Sequence, residues 1–220
     1  MGETQHCLDL FAGVGGFSAA FSDSENWDVT TVEINSEHDP DMCADVMELR
    51  PSDLPNADVI LASPPCTYFS LAGNHEKWDG KQPAHPDVRE HITLVYHSLG
   101  LIHGLDPDYW FVENPRGRMR YVIGEPAGTV HYCQYGKPFK KPTDLWGFHP
   151  KGFEYRTCSV PAGGGCHVRN SANDGTEATA SLPRDPAKRS EVPYELSEQI
   201  LNAVDGQTEQ QVLPGVSTDG

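Results

Sequence analysis

Positive charge is what this sequence has least of. Only 16 of its 220 residues are lysine or arginine, against 32 aspartates and glutamates, for a formal net charge of −16. Spread evenly, that charge would repel nucleic acid. It is not spread evenly. Residues 1–60 hold 13 acidic side chains and one basic one, Arg50. Residues 116–156 carry eight basic side chains (Arg116, Arg118, Arg120, Lys137, Lys140, Lys141, Lys151, Arg156) against three acidic ones. The middle of the chain is therefore locally basic inside an acidic protein. Acidity with few lysines fits a halophilic protein, or an ordinary acidic cytosolic one. The first of these predicts folding that needs salt.

Long apolar runs are absent too. No stretch approaches the roughly 18 apolar residues that span a bilayer, so no membrane association is expected. The first residues, Met1 to His6, lack the charged and apolar regions of a secretory signal. His6 stands where a myristoylation signal wants Ser or Thr. The expectation is a soluble, intracellular, cytoplasmic protein. No internal repeat is visible, and 220 residues suit one domain better than two. Cys-x-x-Cys pairs are missing as well. Cys7, Cys43, Cys66, Cys133, Cys158 and Cys166 are scattered, as reduced and mostly buried thiols would be. Cys133, Cys158, Cys166 and His167 could form a zinc site, but the spacing is poor and no metal is expected.

What is present is an alternation of strand and helix signals. Cys7 to Phe11 is a short apolar run, followed by the glycine turn Ala12-Gly13-Val14-Gly15-Gly16 and a helix start over Phe17 to Phe21. Val29 to Glu33 and Ala57 to Ala62 read as strands, the second stopped by Ser63-Pro64-Pro65. Val88, Ile92, Val95, Leu99 and Ile102 give residues 87–104 one apolar helical face, with Pro86 near its start. Tyr109 to Val112 is a strand leading into Glu113-Asn114-Pro115. Thr129 to Tyr132 and Asp144 to Trp146 are later strands, and Val192 to Val204 a last helix. Residues 160–190 show no period and read as loop, and residues 205–220 as a disordered tail. The pattern predicts an α/β sheet with ligands beyond the carboxyl ends of its strands. The glycine turn, Ser63-Pro64-Pro65-Cys66 and Glu113-Asn114-Pro115 all end strands, so they should converge on one edge.

Each motif points to chemistry. The glycines let the backbone turn tightly and approach a ligand. Glu33 follows at about the distance where such folds bind ribose hydroxyls. Gly13-x-Gly15-x-x-Ser18 is close to a dinucleotide fingerprint, which leaves a nicotinamide cofactor open at this point. Pro64 and Pro65 hold the Cys66 thiol at a strand end, where a nucleophile would stand. Glu113 places a carboxyl nearby that can donate a proton to a ring nitrogen if its pKa is raised.

Together these motifs resemble the cytosine-5 DNA methyltransferases. Asp9-Leu10-Phe11-Ala12-Gly13-Val14-Gly15-Gly16 looks like their cofactor motif, Ser63-Pro64-Pro65-Cys66 with Phe69-Ser70 like their nucleophile motif, and Glu113-Asn114-Pro115 like their Glu-Asn-Val. Tyr135-Gly136-Lys137-Pro138 is similar to the segment before their last arginines, and Pro193-Tyr194 to their closing motif. On that register Lys141 and Thr143 stand where the family has two arginines.

The resemblance implies a single domain over residues 1–204 with a Rossmann-like, S-adenosylmethionine-dependent methyltransferase fold. Residues 148–190 form a short irregular insertion in place of a target-recognition domain, which looks closest to small phage members. It implies catalysis by Cys66, Glu113, Asn114 and Lys141, with Lys141 on a phosphate or the base. It implies cofactor binding by Asp9, Phe11, Ala12, Gly13, Gly15, Gly16, Glu33, Asp45, Pro64 and Tyr194. The partner is DNA, with RNA as the alternative, the protein is a monomer, and a viral member would work in the host cytoplasm. A non-catalytic relative that binds cofactor or DNA, and an adenine amino-methyltransferase, are the competing readings. The second would carry an aromatic residue where Cys66 stands.

Overall fold

The computed structural model describes residues 4–71, 76–160 and 189–212, with the side chains of the last helix up to Gly206. Nine strands and four α-helices occur among them. The strands are β1 (Gln5–Leu10), β2 (Trp27–Glu33), β3 (Met42–Cys43), β4 (Val59–Ala62), β5 (Trp78–Asp79), β6 (Gln82–Pro83), β7 (Tyr109–Pro115), β8 (Gly128–His131) and β9 (Pro142–Phe148). The helices are α1 (Ala19–Ser22), α2 (Pro86–Leu105), α3 (Arg120–Ile123) and α4 (Tyr194–Val212). Seven strands form one sheet in the order β3-β2-β1-β4-β7-β9-β8, and β5 and β6 pair as a separate antiparallel ribbon. The neighbours from β3 to β7 run parallel. The β9 strand runs antiparallel between β7 and β8.

Alternation along the strands divides the core into two layers. Cys7, Val59, Leu61, Phe111 and Leu145 face one side, with Phe17, Phe21, Leu196, Ile200 and Val204 packed over them. Leu8, Leu10, Ile60, Ala62, Val112 and Trp146 face the other, beneath Val88, Val95, Leu101 and Ile102 of α2. Period-2 strands covered on both faces by helices make an α/β sheet. This is the Rossmann-like architecture expected.

Local chemistry sets the helix ends. The α2 helix opens with Pro86 at its first position, where a missing N–H costs nothing, and the His85 ring accepts from the Asp87 N–H. It closes at Asp106 in the left-handed region. Three findings differ from the sequence reading. The helix after the glycine turn is a single turn, Ala19–Ser22. The strand expected over Asp144 to Trp146 is longer, Pro142–Phe148, because residues on both sides of it join the ladder with β7, and β8 starts and ends one residue earlier than expected. The last helix runs to Val212 rather than stopping at Val204, so the disordered tail does not begin at residue 205. Just past the expected end, Asp205 accepts a 3.0 Å bond from the indole of buried Trp27, which ties that turn to β2. Residues 213–220 and most of the expected insertion, 161–188, lie outside the described residues.

Candidate active site

The carboxyl ends of β1, β4 and β7 lie side by side, and all three motifs follow them. After β1 the chain reverses within five residues. Gly13 and Gly15 take φ of +54° and +78°, and the Gly15 N–H donates to the Ala12 carbonyl at 2.8 Å. At Gly16 a Cβ would stand 2.8 Å from the Val192 carbonyl, so the residues leading into α4 press directly on the turn. The Glu33 carboxylate at the end of β2 braces the turn by accepting from the N–H groups of Gly13 and Asn35.

Two adjoining cavities open on this edge. One, of about 270 Å³, is lined by Phe11, Glu33, Ile34, Asp45, Val46, Met47, Pro65 and Leu94. Its lining is mostly apolar, with the Glu33, Asp45 and Glu90 carboxylates and the His91 ring as its polar groups, which suits a flat heterocycle with hydroxyls. The other, of about 120 Å³, is lined by the glycine turn, Ser63, Pro64, Pro65, Cys66, Glu113 and Lys141. Phe11 and Pro65 belong to both, so the cavities meet across these two side chains. Phe11 (φ +63°) and Lys141 (φ +25°) are among the few non-glycine residues in the left-handed region. That conformation is uncomfortable for side chains of this size, on the order of 1–3 kcal/mol each, and here it falls on cavity walls.

The Cys66 loop is held from three sides. Asn114 donates from Nδ2 to the Pro64 carbonyl at 2.9 Å, and Asn114 is fully buried. The N–H groups of Phe69 and Ser70 close a turn onto the Cys66 carbonyl. Buried Arg118 donates to the Ser70 carbonyl through its guanidinium and to the Phe69 carbonyl through its N–H. Glu113 is buried, and its Oε1 accepts a 2.8 Å bond from the Tyr132 hydroxyl. The Lys141 ammonium lies 3.8 Å from the same oxygen and 4.3 Å from the centre of the Tyr132 ring.

Burial dominates the electrostatics. It pushes the Cys66 thiol above its usual range, and the Glu113 charge adds to this while Lys141 opposes it. It raises the Glu113 carboxyl against the pull of Lys141 and Tyr132, and it lowers the Lys141 ammonium. The resting site therefore favours a protonated thiol beside a carboxyl of raised proton affinity.

The family model for C-5 cytosine-specific DNA methylases matches residues 5–120, which contain all three strand-end motifs. The chain belongs to this family. Among its relatives, the probable DNA (cytosine-5)-methyltransferase of Frog virus 3 (isolate Goorha) is 34% identical over 69% of this chain and 74% of its own. Type II methyltransferase M.BsuFI of Bacillus subtilis is 31% identical over 50% of this chain, and M.HaeII of Haemophilus aegyptius 29% over 59%. The chain spans only 27% and 43% of those two bacterial enzymes.

Within this methylase fold the sequence-predicted residues are placed unevenly. Cys66, Glu113, Lys141, Phe11, Ala12, Gly13, Gly16 and Pro64 meet at the smaller cavity, and Glu33 and Asp45 at the larger. Asn114 lies behind the Cys66 loop as its clamp. Gly15 shapes the turn without lining a cavity. Asp9 is fully buried beneath it, with Oδ2 accepting from Ser18 and Oδ1 unpartnered, so it supports the turn from within. Tyr194 is displaced from both cavities. Its hydroxyl bonds Asp23, and Ser190, Glu191 and Val192 reach the cavity instead. Lys141 is buried and ion-paired with Glu113, and Thr143, also buried, bonds the Lys141 carbonyl. Among the described residues no three His, Cys, Asp or Glu side chains gather to hold a metal, while Cys166 and His167 lie outside them. Among those residues no helix is long and apolar enough to cross a membrane. Sequence reasoning missed Tyr132 and Arg118. Tyr132 hides in a strand-like run, and only the pairing of β8 beside β9, next to β7, brings its hydroxyl to Glu113.

Proposed function

We propose that the protein transfers a methyl group from S-adenosylmethionine to carbon 5 of cytosine in DNA, through a covalent bond between Cys66 and carbon 6. The observation that carries this reading is the convergence of Cys66 and Glu113 on one cavity that adjoins the cavity edged by Glu33. The names of the relatives bring the DNA substrate to this chain.

The residues present fit the cofactor. Glu33 and Asp45 would take the ribose hydroxyls and neighbouring polar edges. Ile34, Val46, Met47 and Leu94 would enclose the adenine, and the turn from Ala12 to Gly16 would lie along the methionine part. When bound, the cofactor would supply an electrophilic methyl group, and Phe11 and Pro65 would stand between its cavity and that of Cys66.

A cytosine reaching Cys66 must leave its stack, because the thiol stands inside the cavity. The Cys66 sulfur bonds to carbon 6 as its proton passes to solvent. Glu113 donates a proton to ring nitrogen 3, and burial, by raising its proton affinity, favours the protonated carboxyl that this step needs. Electron density then collects on carbon 5, which takes the methyl. Solvent takes the carbon 5 proton, the electron pair left behind re-forms the ring double bond and expels the sulfur, nitrogen 3 returns its proton to Glu113, and the thiolate regains a proton from solvent. Asn114 acts on the Pro64 carbonyl, setting the height of the loop that carries the sulfur.

DNA carrying 5-fluorocytosine tests this sequence of steps. Fluorine cannot leave carbon 5 as a proton does, so the enzyme should remain bonded to DNA through a denaturing gel whenever cofactor is present. Cys66→Ser should abolish the bonded species while calorimetry still records cofactor binding. A wild-type protein that binds cofactor and DNA yet never forms the species, at low or high salt, would overturn the proposal.

A further inference from the structure

Glu113 needs more than burial to act on a ring nitrogen, since a carboxyl with two free oxygens can rotate. In this structure one oxygen is engaged twice. The Tyr132 hydroxyl donates to Oε1 at 2.8 Å, and the Lys141 ammonium stands 3.8 Å from that atom. Both partners come from the β8–β9 hairpin, and Tyr132 is fully buried at the end of β8. The Tyr132 N–H bonds the Lys141 carbonyl, and the Lys141 ammonium sits over the Tyr132 ring at 4.3 Å. Tyrosine and lysine thus brace one another as well as the carboxyl. Thr143, further along the hairpin, reaches the Lys141 carbonyl and not Glu113.

We propose that Tyr132 is a positioning residue for the methyl-transfer reaction: with Lys141 it holds Oε1 of Glu113, so that Oε2 is the oxygen presented to ring nitrogen 3 of the flipped cytosine. This inference rests on the cytosine-methylating reading of the site. A buried phenol suits the task because it is a neutral donor of fixed reach, and its ring shields the carboxyl from water. Lysine alone contributes a point charge with three rotatable donors and sets no direction. The charged and titratable groups facing Glu113 are Lys141 just before β9, Asp144 of β9, Tyr132 after β8, and Cys66 after β4. Of these, Lys141 and Tyr132 favour the carboxylate, while burial and Asp144 oppose it.

Two measurements on the full chain test the assignment. In the first, the Glu113 side-chain carboxyl is labelled with carbon-13, assigned by its loss in Glu113→Gln, and titrated by NMR without substrate. Tyr132→Phe removes one hydrogen bond to the charged form and should raise the midpoint by about one pH unit. Circular dichroism confirms that the variant is folded. In the second, the rate of bond formation with 5-fluorocytosine DNA is followed. Tyr132→Phe should slow it about tenfold or more, with cofactor affinity unchanged. In the Glu113→Gln background the same substitution should cost nothing further, because its effect passes through Glu113. An unmoved midpoint overturns the proposal whether or not the protein traps DNA, and so do additive losses in the two backgrounds. A raised midpoint in a protein that never traps supports the Tyr132–Glu113 coupling and defeats the methylating reading instead.

Discussion

Asp9 shows how far a single position can be read. Its place in the cofactor motif suggested contact with a ligand, yet its side chain is fully buried beneath the turn. Burial lifts its carboxyl to about 7, with the Ser18 hydrogen bonds opposing and Glu33 adding. In the unfolded chain such a group titrates near pH ~3.9. The folded state therefore binds the proton more tightly. The stability this group contributes is complete below the unfolded value and is lost as pH rises towards 7, by about 1.4 kcal/mol per pH unit over that range. Asp9→Asn carries no proton to lose. Urea unfolding between pH 5 and 7 should show the wild type losing stability with pH relative to the variant, whatever their absolute difference. Parallel curves would remove Asp9 as the source. At Cys66 the sequence identified the side chain but not its state: the two prolines locate the thiol, while its raised proton affinity arises from tertiary burial.

At the scale of elements, the β7–β9–β8 side of the sheet depends on a buried ion pair that the sequence concealed. Arg120 of α3 binds both oxygens of Asp144 at 2.7 Å, and Asp144 is fully buried on β9. Thr129 of β8 adds a third bond, so helix and both strands are joined through one carboxylate. Breaking such a pair leaves the buried charge without its partner. Arg120→Ala should lower unfolding stability by about 3 kcal/mol, read as a reduced urea midpoint. A loss within about 0.5 kcal/mol would place the pair among those that contribute little. The basic block at residues 116–156 is thereby reinterpreted. Arg120 pairs with Asp144, Lys141 with Glu113 and Lys137 with Glu191, so three of its eight basic side chains are committed to acids of the protein itself. Pairing of this kind joins residues far apart in the chain, and no local pattern announces it.

For the whole molecule, charge is divided across the sheet. The acidic first 60 residues build β1, β2 and β3 and reach β4, whereas the basic block builds β8 and β9 at the opposite edge. Few basic partners are available to the acidic side. The Arg50–Asp53 pair is exposed, and Glu33 is held by backbone N–H groups. Mutual repulsion there should weaken folding at low ionic strength and fade once the screening length falls to ~3 Å in molar salt. Thermal unfolding should therefore shift upward by a few degrees between dilute buffer and 1 M KCl. A constant midpoint would show that the acidic face is already accommodated.

The sequence by itself determined the strand–helix alternation, the two-faced sheet and the three motifs at strand ends. These are written in short-range terms: period-2 and period-3.6 burial, proline stops, and glycines where the turn requires them. It thereby located Cys66, Glu113 and the cofactor turn. Tertiary structure alone decided which partners complete them. The antiparallel insertion of β9 between β7 and β8 brings Tyr132 and Lys141 onto Glu113. The approach of α4 brings Val192 against Gly16 and leaves Tyr194 facing Asp23. The Trp27–Asp205 bond ties the last helix to β2 just past the point where its apolar period ends. Each of these contacts joins residues between 19 and 178 positions apart. Their geometry follows from how the layers pack, which local periodicity does not encode.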